Sequence, residues 1–272
     1  MAGRRRSRPG TLRRMGGPAI EVTWVGHATA LVVVDGLRIL TDPALTPRLA
    51  HLRRHHRVDV DALAPDVVLI SHVHMDHLHL ASMRLLTRDR ARQVTAIVPV
   101  GAGRLVRRVG FAEVVETTVG DVRTFATVTV QTVPALHSGA RGPHSRVRAP
   151  AVGFVIEGVA GTVYFAGDTD LFDAMVDLAG ADVALVPIAG WGRTVGDGHL
   201  DAHTAVDATR LLEPRLVVPV HWGTYTPISA RPGPPGWLAR PAEEFAADLT
   251  AAGLGERLHL LEPGGRLVVP VR

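Results

Sequence analysis

From residue 20 the chain alternates apolar and polar positions with a period of two, the mark of half-buried strands. IEVTWV (20–25) is the first such run. ALVVVDGLRILTD (30–42) is two β-rich runs joined by Asp35-Gly36, a dipeptide that predicts a type I′ hairpin because both residues tolerate positive φ. Residues 43–60 hold two prolines and the basic run HLRRHHR, and read as a loop crossing the surface. DVVLIS (66–71) is apolar without a break, as in a strand buried on both faces, and LHLASMRLLTR (78–88) switches to helical spacing.

VTAIVPV (94–100) is followed by a short helix within GAGRLVRRVG (101–110), and RTFATVTVQTVPALH (123–137) alternates until it reaches a histidine. AVGFVIEG (151–158) and TVYFAGD (162–168) predict a second hairpin. A helix at about 170–179, the strand DVALVPI (182–188), the glycine-rich loop AGWGRTVGDGH (189–199), a helix at about 202–212 and the strand RLVVPV (215–220) complete the pattern. The tail reads as a linker, RPGPPGW (231–237), an amphipathic helix near 241–252 and a hairpin turning at Pro263-Gly264-Gly265. No low-complexity segment separates two cores. The prediction is one α/β domain over 19–272, two similar halves packed sheet on sheet with helices outside.

Composition narrows the chemistry. At 46% hydrophobic and 21% charged the chain is ordinary for a globular protein, and no apolar stretch approaches the roughly 20 residues that cross a bilayer. Cysteine is absent, which excludes disulfides, thiolate sites and a cysteine nucleophile, so a metal here must rest on nitrogen and oxygen. The net charge is +4, yet Arg4, Arg5, Arg6, Arg8, Arg13 and Arg14 crowd the first fourteen residues, which contain no acid. Without them the body is slightly negative. Residues 1–18 therefore read as a disordered basic leader lacking the apolar core of a secretory signal; a cytoplasmic protein with no specific nucleic-acid partner is expected.

LISHVHMDHLHL (69–80) sets His72, His74, Asp76, His77 and His79 close together behind a strand. An apolar run ends in His or Asp four times: VVLIS before His72, TVPAL before His137, VYFAG before Asp168 and LVVPV before His221. Strand ends are rigid platforms whose tips can converge on one point. His72 and His74, two apart on extended backbone, point the same way and can grip one ion. Asp76 and His77 can face a second ion, and the Asp168 carboxylate can bridge the two. Cations about 3.5–4 Å apart lower the pKa of a shared water and polarise a carbonyl or phosphoryl oxygen, which predicts hydrolysis. H-x-H-x-D-H arises by chance in about a few of a thousand such sequences. His51, His55, His56, His79, His144 and His259 are read instead as ordinary hydrogen-bonded or exposed imidazoles.

These residues, H-x-H-x-D-H after a strand and then a distant His, Asp and His, resemble the metallo-β-lactamase superfamily over about residues 20–270. The resemblance implies an αββα sandwich, two mixed sheets with helices on their outer faces and metals at one edge. It implies a first metal on His72, His74 and His137, a second on Asp76, His77 and His221, and Asp168 bridging. WVGHATALV, LRILTDP, FAGDTD and GHLDAHTAVDATRLLEPRLVVPVHWGTY look most like the branch containing N-acyl-phosphatidylethanolamine phospholipase D and L-ascorbate-6-phosphate lactonase. The expected function is a hydrolase with two divalent ions, Zn2+ first and Mn2+ or Fe2+ as alternatives, directing an activated hydroxide at a small-molecule lactone or phosphodiester. Asp76 and His199 are the candidate catalytic residues, His199 for substrate contact or leaving-group protonation, with helix capping as its structural alternative. His27 is expected to hydrogen-bond a ligand rather than ligate. Trp191 and Arg193 are candidates for a pocket wall, the arginine suiting phosphate or carboxylate. An iron-dependent oxidoreductase on the same fold and a nucleic-acid-processing phosphodiesterase are the competing readings, and a homo-oligomer stays open.

Overall fold

The structure, a computed structural model, describes residues 19–271 apart from 90–92, 143, 191, 193 and 231–232. The leader and the two expected pocket-wall residues, Trp191 and Arg193, thus lie outside the described residues. The first half runs β1 (Ala19–Gly26), β2 (Thr29–Val34), β3 (Leu37–Thr41), β4 (Arg48–Leu49), β5 (Leu52–Arg54), α1 (Val60–Leu63), β6 (Val67–Leu69), α2 (Leu80–Leu86), β7 (Thr95–Pro99), α3 (Gly103–Val106) and β8 (Glu113–Thr117). The second runs β9 (Val122–Phe125), β10 (Val128–Pro134), β11 (Val152–Gly158), β12 (Gly161–Phe165), β13 (Val183–Pro187), α4 (Thr204–Leu212), β14 (Leu216–Val220), β15 (Tyr225–Pro227), α5 (Arg240–Ala251) and β16 (Arg266–Pro270). Asp35 and Gly36 take φ of 49° and 86°, so the type I′ turn closes β2 onto β3 with Val34 opposite Leu37.

Two mixed sheets face each other, ordered β16-β1-β2-β3-β6-β7-β8 and β14-β13-β12-β11-β10-β9. β16, β1, β2 and β3 pair antiparallel and β3, β6, β7 and β8 parallel. In the second sheet β9 to β12 pair antiparallel, and β12, β13 and β14 parallel. Alternation decides which way each side chain faces. Ile20, Val22 and Trp24 of β1, with Val67 and Leu69 of β6, enter the core shared with Phe154, Ile156 and Phe165 of the second sheet. Val68 and Ile70 turn the other way, onto Met83 and Leu86 of α2. Full burial of one such side chain contributes roughly 1.5–3 kcal/mol, so a one-residue slip of β6 is strongly disfavoured. α4 and α5 pack against the outer side of the second sheet through Val206, Leu212, Phe245 and Leu249. The layers are those of an αββα sandwich. No helix among the described residues is long and apolar enough to cross a membrane.

Four elements differ from the expectation. Residues 43–60 are not merely a loop: β4 and β5 join β15 in a third small sheet, where Leu49, Leu52, Ala44 and Tyr225 make their own core. The alternating run at 123–137 is two strands, because Ala126 turns with φ 51° and folds β9 back on β10. The helix at 170–179 is a 3-10 segment, Asp173–Leu178. The turn at Pro263-Gly264-Gly265 does not close a terminal hairpin; it delivers β16 antiparallel to β1, covering what would be an open edge.

Candidate metal centre

Strand direction assembles the site. In the first sheet β1, β3 and β6 run one way, and in the second β10, β12, β13 and β14 do. His27 follows β1, Asp42 follows β3, His72 follows β6, His137 follows β10, Asp168 follows β12 and His221 follows β14. His27, Asp42 and His221 take left-handed backbone, with φ of 55°, 32° and 66°, which costs on the order of 1–3 kcal/mol each. Each turn aims a side chain off its strand. Gly167 has φ 64°, and a Cβ there would stand 2.5 Å from Cβ of Ser71, so only glycine lets the two sheet ends close together before Asp168.

All seven residues expected to ligate come together. Nε2 of His72 and Nε2 of His137 stand 3.0 and 3.1 Å from Nδ1 of His74. In a neighbouring group Nε2 of His77 is 3.0 Å from Nε2 of His221, with Asp76 Oδ2 3.7 and 3.8 Å from those atoms. Asp168 touches both groups. Its Oδ2 is 3.1 Å from His77 Nε2 and 3.8 Å from His72 Nε2, and its Oδ1 is 3.3 Å from His221 Nε2. That Oδ1 is buried and accepts no hydrogen bond among the described residues.

The remaining ring nitrogens fix the protons. Ser71 Oγ donates to Asp42 Oδ2 at 2.5 Å, which leaves it to accept from Nδ1 of His72 at 2.9 Å. His77 donates from Nδ1 to Asp42 Oδ2 at 2.7 Å. His137 and His221 donate from Nδ1 to the carbonyls of Gly198 and Ala189, each at 2.6 Å. A neutral imidazole carries one proton, so in that state Nε2 of each of the four presents a bare lone pair to the interior. Those of His77 and His221 oppose each other at contact distance.

Charge points the same way. Asp42 and Asp168 are buried, Asp76 is 14% exposed, and their ion-pair partners are histidines. Burial holds His72 well below the ordinary imidazole range, lowers His74 and takes His137 to about 4, so the first group is neutral at pH 7, the state a ligand needs. Burial opposes charge on His77 and His221 too, but Asp168 and then Asp76 overcome it and raise both. Burial likewise works against the carboxylates of Asp76 and Asp168. His77 leads in holding the first well below the usual range, and His221 and His77 hold the second there. The second group therefore demands positive charge, from a proton or a cation. Nitrogen and oxygen donors, converging ring nitrogens and a buried carboxylate oxygen that accepts no hydrogen bond among the described residues together fit a divalent ion.

His199 also reaches this cluster, with Nε2 3.6 Å from Asp168 Oδ2 and its ring 4.5 Å from that of His137. It does not open or cap α4, which begins at Thr204; Asp201 Oδ1 accepts from the backbone N–H groups of His203 and Thr204 instead. His27 hydrogen-bonds Asp76, Nε2 to Oδ2, at 2.9 Å, and burial, then the His221 charge, lowers it to about 3. His79 bonds Ser82 and His55 bonds Thr226, as bland imidazoles do. Asp42 and Ser71 were not singled out from the sequence. Their signal was an acid and a hydroxyl directly behind two apolar strands, in LTDP and LISH.

Residues 37–222 match the Beta-lactamase superfamily domain. A UPF0173 metal-dependent hydrolase of Methanopyrus kandleri is 32% identical over 252 residues, 90% of this chain and 98% of that protein. N-acyl-phosphatidylethanolamine-hydrolyzing phospholipase D 1 of Caenorhabditis elegans is 28% identical over 75% of this chain and 64% of its own. Among solved structures, Igni18, a metallo hydrolase from Ignicoccus hospitalis, superposes with a TM-score of 0.69 at 24% identity, covering 93% of this chain and all of that one. The chain belongs to the metallo-β-lactamase superfamily, alongside the UPF0173 metal-dependent hydrolases.

Proposed function

We propose that this chain is a metal-dependent hydrolase that uses two divalent cations to open a small-molecule lactone or phosphodiester. One observation carries the reading: Nε2 of His77 and Nε2 of His221 lie 3.0 Å apart while each Nδ1 already donates to an oxygen. Two lone pairs at that distance repel unless positive charge sits with them. His72, His74 and His137 would hold one cation, Asp76, His77 and His221 the other, with Asp168 serving both. Bound there, zinc, or manganese or iron with the same ligand preferences, would supply Lewis acidity and an ionised water near neutral pH.

The chain's own groups do the rest. Asp76 orients the second group. His199 donates Nδ1–H to Gly196 O at 3.0 Å, which leaves Nε2 to take up a proton and pass it to a leaving oxygen. Its side chain is 24% exposed, so it meets substrate from the solvent side. The names of the relatives, metal-dependent hydrolases and a phospholipid hydrolase, support the reaction class.

Elemental analysis of the purified protein should find close to two equivalents of metal. Against a panel of lactones, phosphodiesters and phospholipids, a chelator and His72→Ala should each abolish turnover. Turnover that survives both treatments overturns the proposal.

A further inference from the structure

We infer that His27 is the positioning residue of the second cation group, fixing Asp76 through its ring and His221 through its backbone and ring face. The inference rests on the two-cation reading above and goes beyond it by separating the two groups. His27 is 1% exposed and sits in left-handed backbone, φ 55°, immediately behind β1. Its backbone is tied at both ends. The N–H donates to Thr224 Oγ1 at 2.7 Å, and the carbonyl accepts from Trp24 Nε1 and from the N–H of His221, each at 2.9 Å. His221 is itself left-handed, so two strained residues hold each other in place across the sheets.

The ring does the second half of the work. It is tilted 34° against the ring of His221 with centroids 3.9 Å apart, and is perpendicular to that of Tyr225 with centroids 5.4 Å apart. Clamped between them, it directs Nε2 at Asp76 Oδ2, 2.9 Å away. The other nitrogens near that carboxylate, on His77 and His221, are 3.7 and 3.8 Å off. Of these contacts to the carboxylate, the one from His27 is the shortest. His27 packs on His77 and His221 of the second group, while the first group is built from His72, His74 and His137. Its loss should loosen one group and spare the other.

The test is zinc titration of the full chain after chelator stripping, with competition by a chromophoric chelator and thermal melts in parallel. His27→Phe keeps the ring packing but cannot donate to Asp76, His27→Ala removes both, and His27→Gln restores a donor. Wild type should bind two equivalents. His27→Phe and His27→Ala should keep the first at wild-type strength and weaken the second roughly ten- to a hundredfold, with His27→Gln close to wild type. Two wild-type-strength equivalents in either of the first two variants, equal weakening of both sites, or a His27→Gln variant as weak as His27→Phe overturns the inference. If neither of the first two variants folds, the His27→Gln result alone decides, tight second binding supporting and weak second binding refuting it. A wild type that binds fewer than two equivalents refutes the two-cation reading instead.

Discussion

Oδ2 of Asp42 lies 2.7 Å from Nδ1 of His77, and both side chains are wholly buried. The same carboxylate accepts the N–H of Ser71 at 2.7 Å and its hydroxyl at 2.5 Å. One acid at the end of β3 thereby collects three donors from the segment behind β6. It holds the His77 proton on Nδ1 and, through Ser71, the His72 proton as well, so the orientation of two ligand candidates depends on this one acid.

Asp42→Ala should therefore act twice. Three buried donors lose their acceptor, a destabilisation of about 3 kcal/mol that urea denaturation would read. Zinc affinity should fall about ten- to a hundredfold, because His77 and His72 are no longer held in one tautomer. Asp42→Asn keeps an accepting oxygen and should recover part of the stability. An Asp42→Ala protein with unchanged urea midpoint and metal affinity would contradict this account.

Arg54 is 7% exposed, yet among the described residues its guanidinium donates to neutral oxygens: Ala44 O at 2.6 Å, the Tyr225 hydroxyl at 3.2 Å, His56 O at 3.1 Å and Val25 O. It braces the third small sheet against the end of β1, two residues before His27. A lysine carries one compact ammonium and cannot span these acceptors. Arg54→Lys should lose about 3 kcal/mol of unfolding free energy, since hydrogen bonds from a charged donor contribute roughly 1.5–3 kcal/mol each. A loss below about 1 kcal/mol would show that water replaces the guanidinium without penalty.

Short-range pattern made much of this architecture readable. His72, His137, Asp168 and His221 each stand behind an apolar run, and Asp35-Gly36 carries its turn in two letters. What stayed hidden depends on separation in sequence. Asp42 reaches Ser71 and His77 across 29 and 35 residues, distances over which periodicity says nothing. β4 and β5 span two and three residues in an arginine-rich stretch, too short to show alternation, and their partner β15 lies beyond His221. β16 finds β1 from the opposite end of the chain. His199 looked like the start of a helix because the apolar spacing behind it begins early, whereas the hydrogen bonds place the cap at Asp201.

Tyr164 of β12 is fully buried on the face of its strand opposite to Phe165, and its hydroxyl has no hydrogen-bond partner among the described residues. Burial pushes the phenol upward, so it stays neutral and contributes a desolvated O–H with no return. Tyr164→Phe should leave stability unchanged or raise it by up to about 1 kcal/mol. A lowered melting temperature would reveal a partner for that hydroxyl.

His203, which precedes α4, donates from Nδ1 to Asp248 Oδ2 of α5 at 2.5 Å, tying the two outer helices together. That hydrogen bond first, and the Asp248 charge after it, raises the imidazole above its ordinary 6.5. Because the folded value is the higher one, the pair's stabilisation is fully present below about pH 6.5 and disappears as pH rises through the folded value. The side chains are 66% and 42% exposed, so solvent screening limits the effect to a few tenths of a kcal/mol. Urea midpoints of wild type and His203→Ala should differ at about pH 5.5 and converge at about pH 9. A gap that widened with rising pH would mean that the neutral imidazole, packed in the shallow groove beside Val206 and Ala252, matters more than the ion pair.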